Sequence, residues 1–158
     1  MSRWRGFDNP FGDIWTNLDG IIVDADANNH PNNMNYVYTC QDPSKYADNL
    51  NGGGYRKVGE EYHENGYIKT FDLGNAAHII PNANGGSTTT YKCDHHYVGD
   101  ASTTLCTVRV GGAADDGGYA GLGYFYSAGG VSGSASSIGF RSVSASSSSV
   151  FLSDEAVV

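Results

Sequence analysis

The sequence predicts an α+β domain of short strands, little helix and long irregular Gly-rich loops. No window sustains an apolar pattern at the 3.6-residue period of a helix. Short alternating apolar runs are separated instead by Asn, Asp, Gly and Pro, which punctuate strands and turns. Between Arg109 and Arg141 ten residues are Gly and most others Ala, Ser or Tyr, a composition that cannot hold a periodic helix. The 158 residues, 39% hydrophobic and 12% aromatic, suit one domain with a real core.

Taken in order, Asn9-Pro10-Phe11-Gly12 reads as a turn. Ile14, Trp15, Leu18, Ile21, Ile22 and Val23 then read as core-directed strand residues. Asp24 to Asn35 is an Asn/Asp-rich loop whose Asp24-x-Asp26-x-Asn28 spacing is a weak calcium-loop signal. A helix–loop–helix site would need Gly and Glu where Asn29 and Asn35 stand, so a solvated loop is the expectation. Asn35–Cys40 alternates as a strand, and Asp42 to Asp48 reads as a short helix with Asp at the N-cap and Pro at N1. Gly52-Gly53-Gly54 breaks the chain. Glu60–Asp72 predicts a hairpin around Asn65-Gly66, with Tyr62 and Tyr67 flanking the turn. Leu105–Val110 and Ile138–Val143 predict strands holding the ends of a looped surface. Within that surface Leu122, Tyr124, Phe125, Val131, Ile138 and Phe140 supply apolar residues that a solvated linker would lack. Tyr with Ser and Gly also suits a binding surface: rigid amphipathic area beside adaptable backbone.

Gly111-Gly112, Gly117, Ala120-Gly121-Leu122, Tyr124-Phe125, Ser132, Ser134 and Ile138-Gly139-Phe140-Arg141 resemble the C-terminal signature of the variable proteins of diversity-generating retroelements. The spacing from Ala120 to Arg141 matches without a gap, while Ala114 stands where that family usually has Trp. Arg5-Gly6 and Gly12-Asp13-Ile14-Trp15 resemble its earlier Arg-Gly…Gly-Asn-Val-Trp segment. The Asp42-Pro43-Ser44-Lys45-Tyr46-Ala47-Asp48 run resembles its phage-encoded members. The resemblance implies a C-type-lectin-like fold, shared with the formylglycine-generating, sulfatase-modifying enzymes, over residues 1–144. It also implies a chain shortened at its N-terminus. A Ser-rich tail or edge strand is expected over 145–158.

The same resemblance implies which residues face a ligand. Every Asn of the chain lies before Gly85, and in that family adenine mutagenesis converts Asn codons into others. Asp115, Asp116, Tyr119, Tyr126, Ala128, Gly129, Gly133, Ala135 and Ser137 are all reachable in that way, and are the expected diversified, ligand-binding set. Arg5, Trp15, Gly111, Gly112, Leu122, Phe125, Ile138, Phe140 and Arg141 are the expected scaffold.

Net charge −8, from 9 basic and 17 acidic residues, argues against a nucleic-acid partner, because phosphate binding needs clustered Lys and Arg. No apolar run approaches the roughly 20 residues that span a bilayer, and residues 1–30 lack a signal-peptide core, so membrane insertion is not expected. Cys40, Cys93 and Cys106 are too few and too widely spaced for a disulfide framework or a zinc site. Buried, inert thiols are expected, with a Cys93–Cys106 bridge as the alternative.

No catalytic constellation is evident. The oxidases of the related fold need a cysteine pair after the Gly-Gly motif, and no Cys follows Cys106. None of His30, His63, His78, His95 and His96 forms a His-x-x-x-His-x-Glu motif. On a strand His95 and His96 point to opposite faces and do not chelate together. No serine sits in a Gly-x-Ser-x-Gly elbow.

The expected function is therefore that of a non-enzymatic, cofactor-free receptor-binding protein of a phage tail or fibre, displayed on the virion. Its expected partners are a host cell-surface protein or glycan, other tail proteins, and copies of itself, with a trimer favoured. The alternatives are a structural fibre-tip or decoration domain and, more weakly, a calcium-dependent glycan lectin.

Overall fold

The computed structural model describes residues 3–4, 7–8, 14–26, 30–75, 78–91, 94–99, 105–133 and 138–140. Strands β1 (Arg3–Trp4) and β2 (Phe7–Asp8) make a two-stranded antiparallel ribbon. The remaining strands are β3 (Trp15–Asp24), β4 (Met34–Thr39), β5 (Arg56–Tyr62), β6 (Gly66–Leu73), β7 (Ile79–Asn84), β8 (His95–Val98), β9 (Leu105–Gly111), β10 (Gly121–Gly130) and β11 (Ile138–Phe140). They hydrogen-bond in the order β5-β4-β3-β9-β10-β8-β6-β7, and β11 lies off this path, parallel to β3. Among the described residues, β8 with β10 is the other parallel pairing.

The two ends of that sheet meet, giving a nearly closed, barrel-like sheet. Asn75 N donates to Val58 O at 2.6 Å, and the Ile80 side chain occupies the space that Gly59 and Gly74 leave by lacking a Cβ. Closure removes the exposed strand edges that a flat sheet would present.

The interior follows from alternation. Val23, Val37, Val58, Ile80, Cys106 and Val108 are buried in one cluster, with Leu18, Ile21, Val110 and Phe125 packed against it. Each fully buried aliphatic side chain contributes about 1.5–3 kcal/mol. Since Cys106 and Val108 point inward, Thr107 and Arg109 point outward; Tyr126, in register with Arg109, therefore lies on the outer face. There a second cluster forms from Trp15, Ala113 and Tyr124, joined by Tyr126 and Ile138.

The expectation of an α+β, C-type-lectin-like fold of short strands and long irregular loops is overturned by a mostly β, barrel-like sheet. Among the described residues strands make up 56% and helix 8%, the helix consisting of three-residue 3-10 turns at Pro31–Asn33, Pro43–Lys45 and Gly117–Tyr119. Two strands, β3 and β10, run to ten residues. The Gly-rich stretch was expected to be a loop because Gly weakens a strand. Its Gly121–Gly130 portion is instead an inner strand between β9 and β8, since cross-strand pairing overrides weak intrinsic preference.

The hairpin expected over Glu60–Asp72 is also corrected. Residues 63–65 do link two strands, but β5 pairs with β4 while β6 pairs with β7 and β8. The short helix expected from Asp42 is a 3-10 turn over Pro43–Lys45, with the Asp42 carboxylate accepting from Ser44 N. The Asn9–Gly12 turn, residues 141–143 of the last expected strand and the 145–158 tail lie outside the described residues.

Two glycine positions show what the register requires. Gly20, at φ 75°, lies within a register shift of β3 against β9, between Leu18 and Ile22. A Cβ there would lie 2.7 Å from Cys40 O and 2.8 Å from the Tyr46 ring, so only glycine meets both the backbone and the space requirement. Gly112, at φ 84°, turns the chain out of β9 with its backbone against Ala120.

Candidate functional site

The outer face of β8 and β10, with the turn that precedes β10, gathers an aromatic platform. Trp15 anchors it: its ring lies 4.6 Å from Tyr124 and 4.9 Å from Tyr126. Tyr97 stacks on Tyr126 at 5.3 Å with the planes 7° apart. His95 meets Tyr124 edge-on at 5.8 Å and Tyr119 at 4.5 Å, and Tyr67 closes the group at 5.2 Å from His95. Between buried rings, as for Trp15 and Tyr124, such a tilted pair adds about 0.5–1.5 kcal/mol beyond area burial.

The platform is graded from buried to exposed. Trp15 and Tyr124 are buried, whereas Tyr97 and Tyr119 are 41% and 46% exposed. Burial pushes the Tyr124 hydroxyl well above the ordinary phenol value and raises that of Tyr126. Burial, with the neighbouring His96 second, holds the His95 imidazole below its ordinary value. His95 is therefore neutral at pH 7 and able to pack among rings.

Asp116 shapes the turn. Its carboxylate accepts from Ala113 N, its own N–H donates to Ala113 O, and its carbonyl accepts from Tyr119 N at 3.2 Å. Beside Tyr97 a recess of about 280 Å³ opens, lined by His63, Glu64, Asn65 and Tyr97.

The expected ligand-facing set divides in this frame. Asp115 and Tyr119 are exposed and Asp116 half-buried on the turn. Tyr126 is half-buried between Trp15 and Tyr97, with the Arg109 guanidinium 5.3 Å from its ring centre. Gly129 and Gly133 border that same guanidinium, which also donates through Nε to Asn17 Oδ1 at 3.2 Å. Ala128 packs beside Gly99. Ala135 and Ser137 lie outside the described residues.

Of the expected scaffold, Trp15 is buried, Phe125 packs on the interior cluster and Ile138 on the outer one. Gly111 and Gly112 turn the chain out of β9. Leu122 and Phe140 are strand residues of β10 and β11, while Arg5 and Arg141 lie outside the described residues.

Sequence reasoning missed Tyr67 and Tyr97 as platform members, and it missed a polar group inside the barrel. Glu61, fully buried, accepts from Asn35 Nδ2 at 2.9 Å and from Ser127 Oγ at 2.6 Å. His96 Nε2, also fully buried, lies 3.7 Å from the other carboxylate oxygen. His63 Nδ1 donates to Asn35 Oδ1 at 2.7 Å, linking the group to a half-exposed imidazole. The signal available was the alternation His95-His96-Tyr97-Val98, which sends His96 inward.

Among the described residues no three His, Cys, Asp or Glu side chains are placed to hold a metal ion. Asp24, from the weak calcium pattern, is engaged by His30 at 3.5 Å and by Asp26 N. Cys40 and Cys106 are buried, and burial pushes the Cys106 thiol up to about 12, so it is not a nucleophile at neutral pH. Cys93, the other half of the alternative bridge, is outside the described residues. Comparison with models of known protein families, with curated proteins and with solved structures finds no match.

Proposed function

We propose that the chain is a binding module for host attachment, of the kind carried by phage tails or fibres, that presents the aromatic platform and the 113–119 turn to a cell-surface protein or glycan. The observation that carries this reading is the pairing of exposed with anchored rings. Tyr97 rests on Tyr126 and Tyr119 on His95, and those supports rest on Trp15 and Tyr124. A ring ordered before the ligand arrives loses little entropy on binding, the property that makes Tyr a frequent hot spot.

Tyr97 and Tyr119 belong to neither buried cluster, so their exposed rings have no folding rationale of their own. The attachment role within a phage, the display in several copies and the diversification of Asp115, Asp116 and Tyr119 rest on the sequence resemblance. Tyr126, Gly129 and Gly133, gathered around Arg109, favour a packing role for that part of the set.

The test is binding of the labelled chain to a panel of bacterial strains, with Tyr97→Ala and Tyr119→Ala compared against wild type. Loss of binding by about tenfold or more in either variant, with the melting temperature unchanged, supports the reading. Binding retained in both, or absent from every strain for the wild type, overturns it.

A further inference from the structure

A second concave site lies on the outer face, separated from the platform by the Arg109–Asn17 pair. It is a recess of about 330 Å³ between the bulged middle of β3 and the 46–48 segment. Its apolar floor includes Leu18, Ile21, Ile22 and Val131, and its walls are Tyr46 and Tyr55. Asn17, Asp19, Asp48 and Thr107 supply polar groups around it, and no Lys or Arg lines it. Its size and its mixture of apolar surface with a few polar groups are those of a small-ligand site.

The walls are fixed. The Tyr46 ring packs against Gly20, where a Cβ would be 2.8 Å from two of its ring carbons. The ring is held against this backbone, yet the residue is 41% exposed. Tyr55 is oriented by its hydroxyl, which donates to Ala47 O at 3.1 Å and accepts from Ala47 N at 3.4 Å. Burial pushes its phenol above the ordinary value, consistent with a dry wall.

We propose that this recess binds a saccharide without an acid group. A pyranose has an apolar C–H face that suits the exposed Tyr46 ring, and hydroxyls at its edge that donate to carboxylate and amide oxygens. Asp19 and Asp48 supply such acceptors. An anionic sugar meets two carboxylates and a chain of net charge −8, against one guanidinium, that of Arg109, already engaged by Asn17, and is disfavoured. The site shares no lining residue with the aromatic platform and does not rest on the platform's role.

The experiment is saturation-transfer NMR on the intact chain at millimolar sugar, with methyl glucoside, methyl galactoside, glucosamine and glucuronate as probes. At least one of the first three is expected to receive saturation, and glucuronate is not. Tyr46→Ala is expected to weaken that signal about tenfold. Asp48→Asn, which keeps the shape of an exposed side chain and leaves the fold intact, is expected to weaken it severalfold. Tyr119→Ala is expected to leave it unchanged, which separates failure here from failure of the attachment reading. No transfer to any probe, transfer to glucuronate equal to the others, or transfer unaltered in both Tyr46→Ala and Asp48→Asn overturns the proposal.

Discussion

Ser127 Oγ donates to Glu61 Oε1 at 2.6 Å across the inside of the barrel, joining β10 to β5, two strands that are not neighbours in the sheet. Both side chains are fully buried, so each depends on the other for the solvation that water gave the unfolded chain. Ser127→Ala should cost about 1–3 kcal/mol, the range for leaving a buried polar group without one of its partners. Glu61→Gln should cost less than Glu61→Ala, because an amide oxygen still accepts from Ser127 and Asn35. Urea denaturation checks both; a Ser127→Ala loss below about 0.5 kcal/mol, the noise of a surface substitution, would show the bond to be dispensable.

Trp15 and Tyr119 mark the two ends of the platform and should respond differently to truncation. Trp15→Ala removes the ring under both Tyr124 and Tyr126 and should cost about 3–5 kcal/mol of stability. Tyr119→Ala, at an exposed ring, should stay within about 0.5 kcal/mol. Tyr126→Ala should lose both stability and binding, because its ring is simultaneously packed on Trp15 and stacked under Tyr97. Thermal melts of the three variants rank them; equal losses for Trp15→Ala and Tyr119→Ala would dissolve the distinction between support and contact.

The local chemistry of several elements was legible in the sequence. Apolar alternation marked β3, β4 and β9, and Asp42-Pro43 marked its capped turn, because those signals act over a few residues. The closed sheet was not legible, for it depends on which strands pair. The Asn65-Gly66 step looks like a hairpin turn, yet Gly66 and Tyr67 pair with His96 and His95, partners some thirty residues away. β10 was hidden by its glycines, although Tyr124, Phe125 and Tyr126 already alternate between the outer platform and the core. Glu61 was invisible as a core residue because a charged side chain is assigned to the surface until Asn35, Ser127 and His96 are seen around it.

His95 gives the platform a pH dependence. Its folded-state pKa lies below the ordinary 6.5, through burial first and His96 second. The unfolded chain therefore binds the proton more readily. The stability that the neutral ring supplies is fully present above pH 6.5 and is lost as pH falls through 6.5 and the lower folded value. Melting temperatures measured from pH 7.5 down to 5 should fall more steeply for wild type than for His95→Phe, which keeps a ring against Tyr67, Tyr119 and Tyr124. Identical slopes would assign the acid sensitivity to other groups.

Arg109 supplies the last prediction, because it sets how far the expected variable positions beside it can vary. The guanidinium lies where a side chain at Gly129 would begin, and within 3.2 Å of where one at Gly133 would begin. Gly129→Ser must therefore displace the far end of Arg109, breaking its bond to Asn17 and its approach to the Tyr126 ring. A long, flexible side chain can swing aside, so the cost should be about 1–3 kcal/mol, as for a modest overpacking, rather than a failure to fold. The same substitution in an Arg109→Ala background meets no guanidinium and should cost much less. The coupling read from that double-mutant cycle should exceed about 0.5 kcal/mol. Strict additivity would mean that Gly129 is constrained by something other than Arg109.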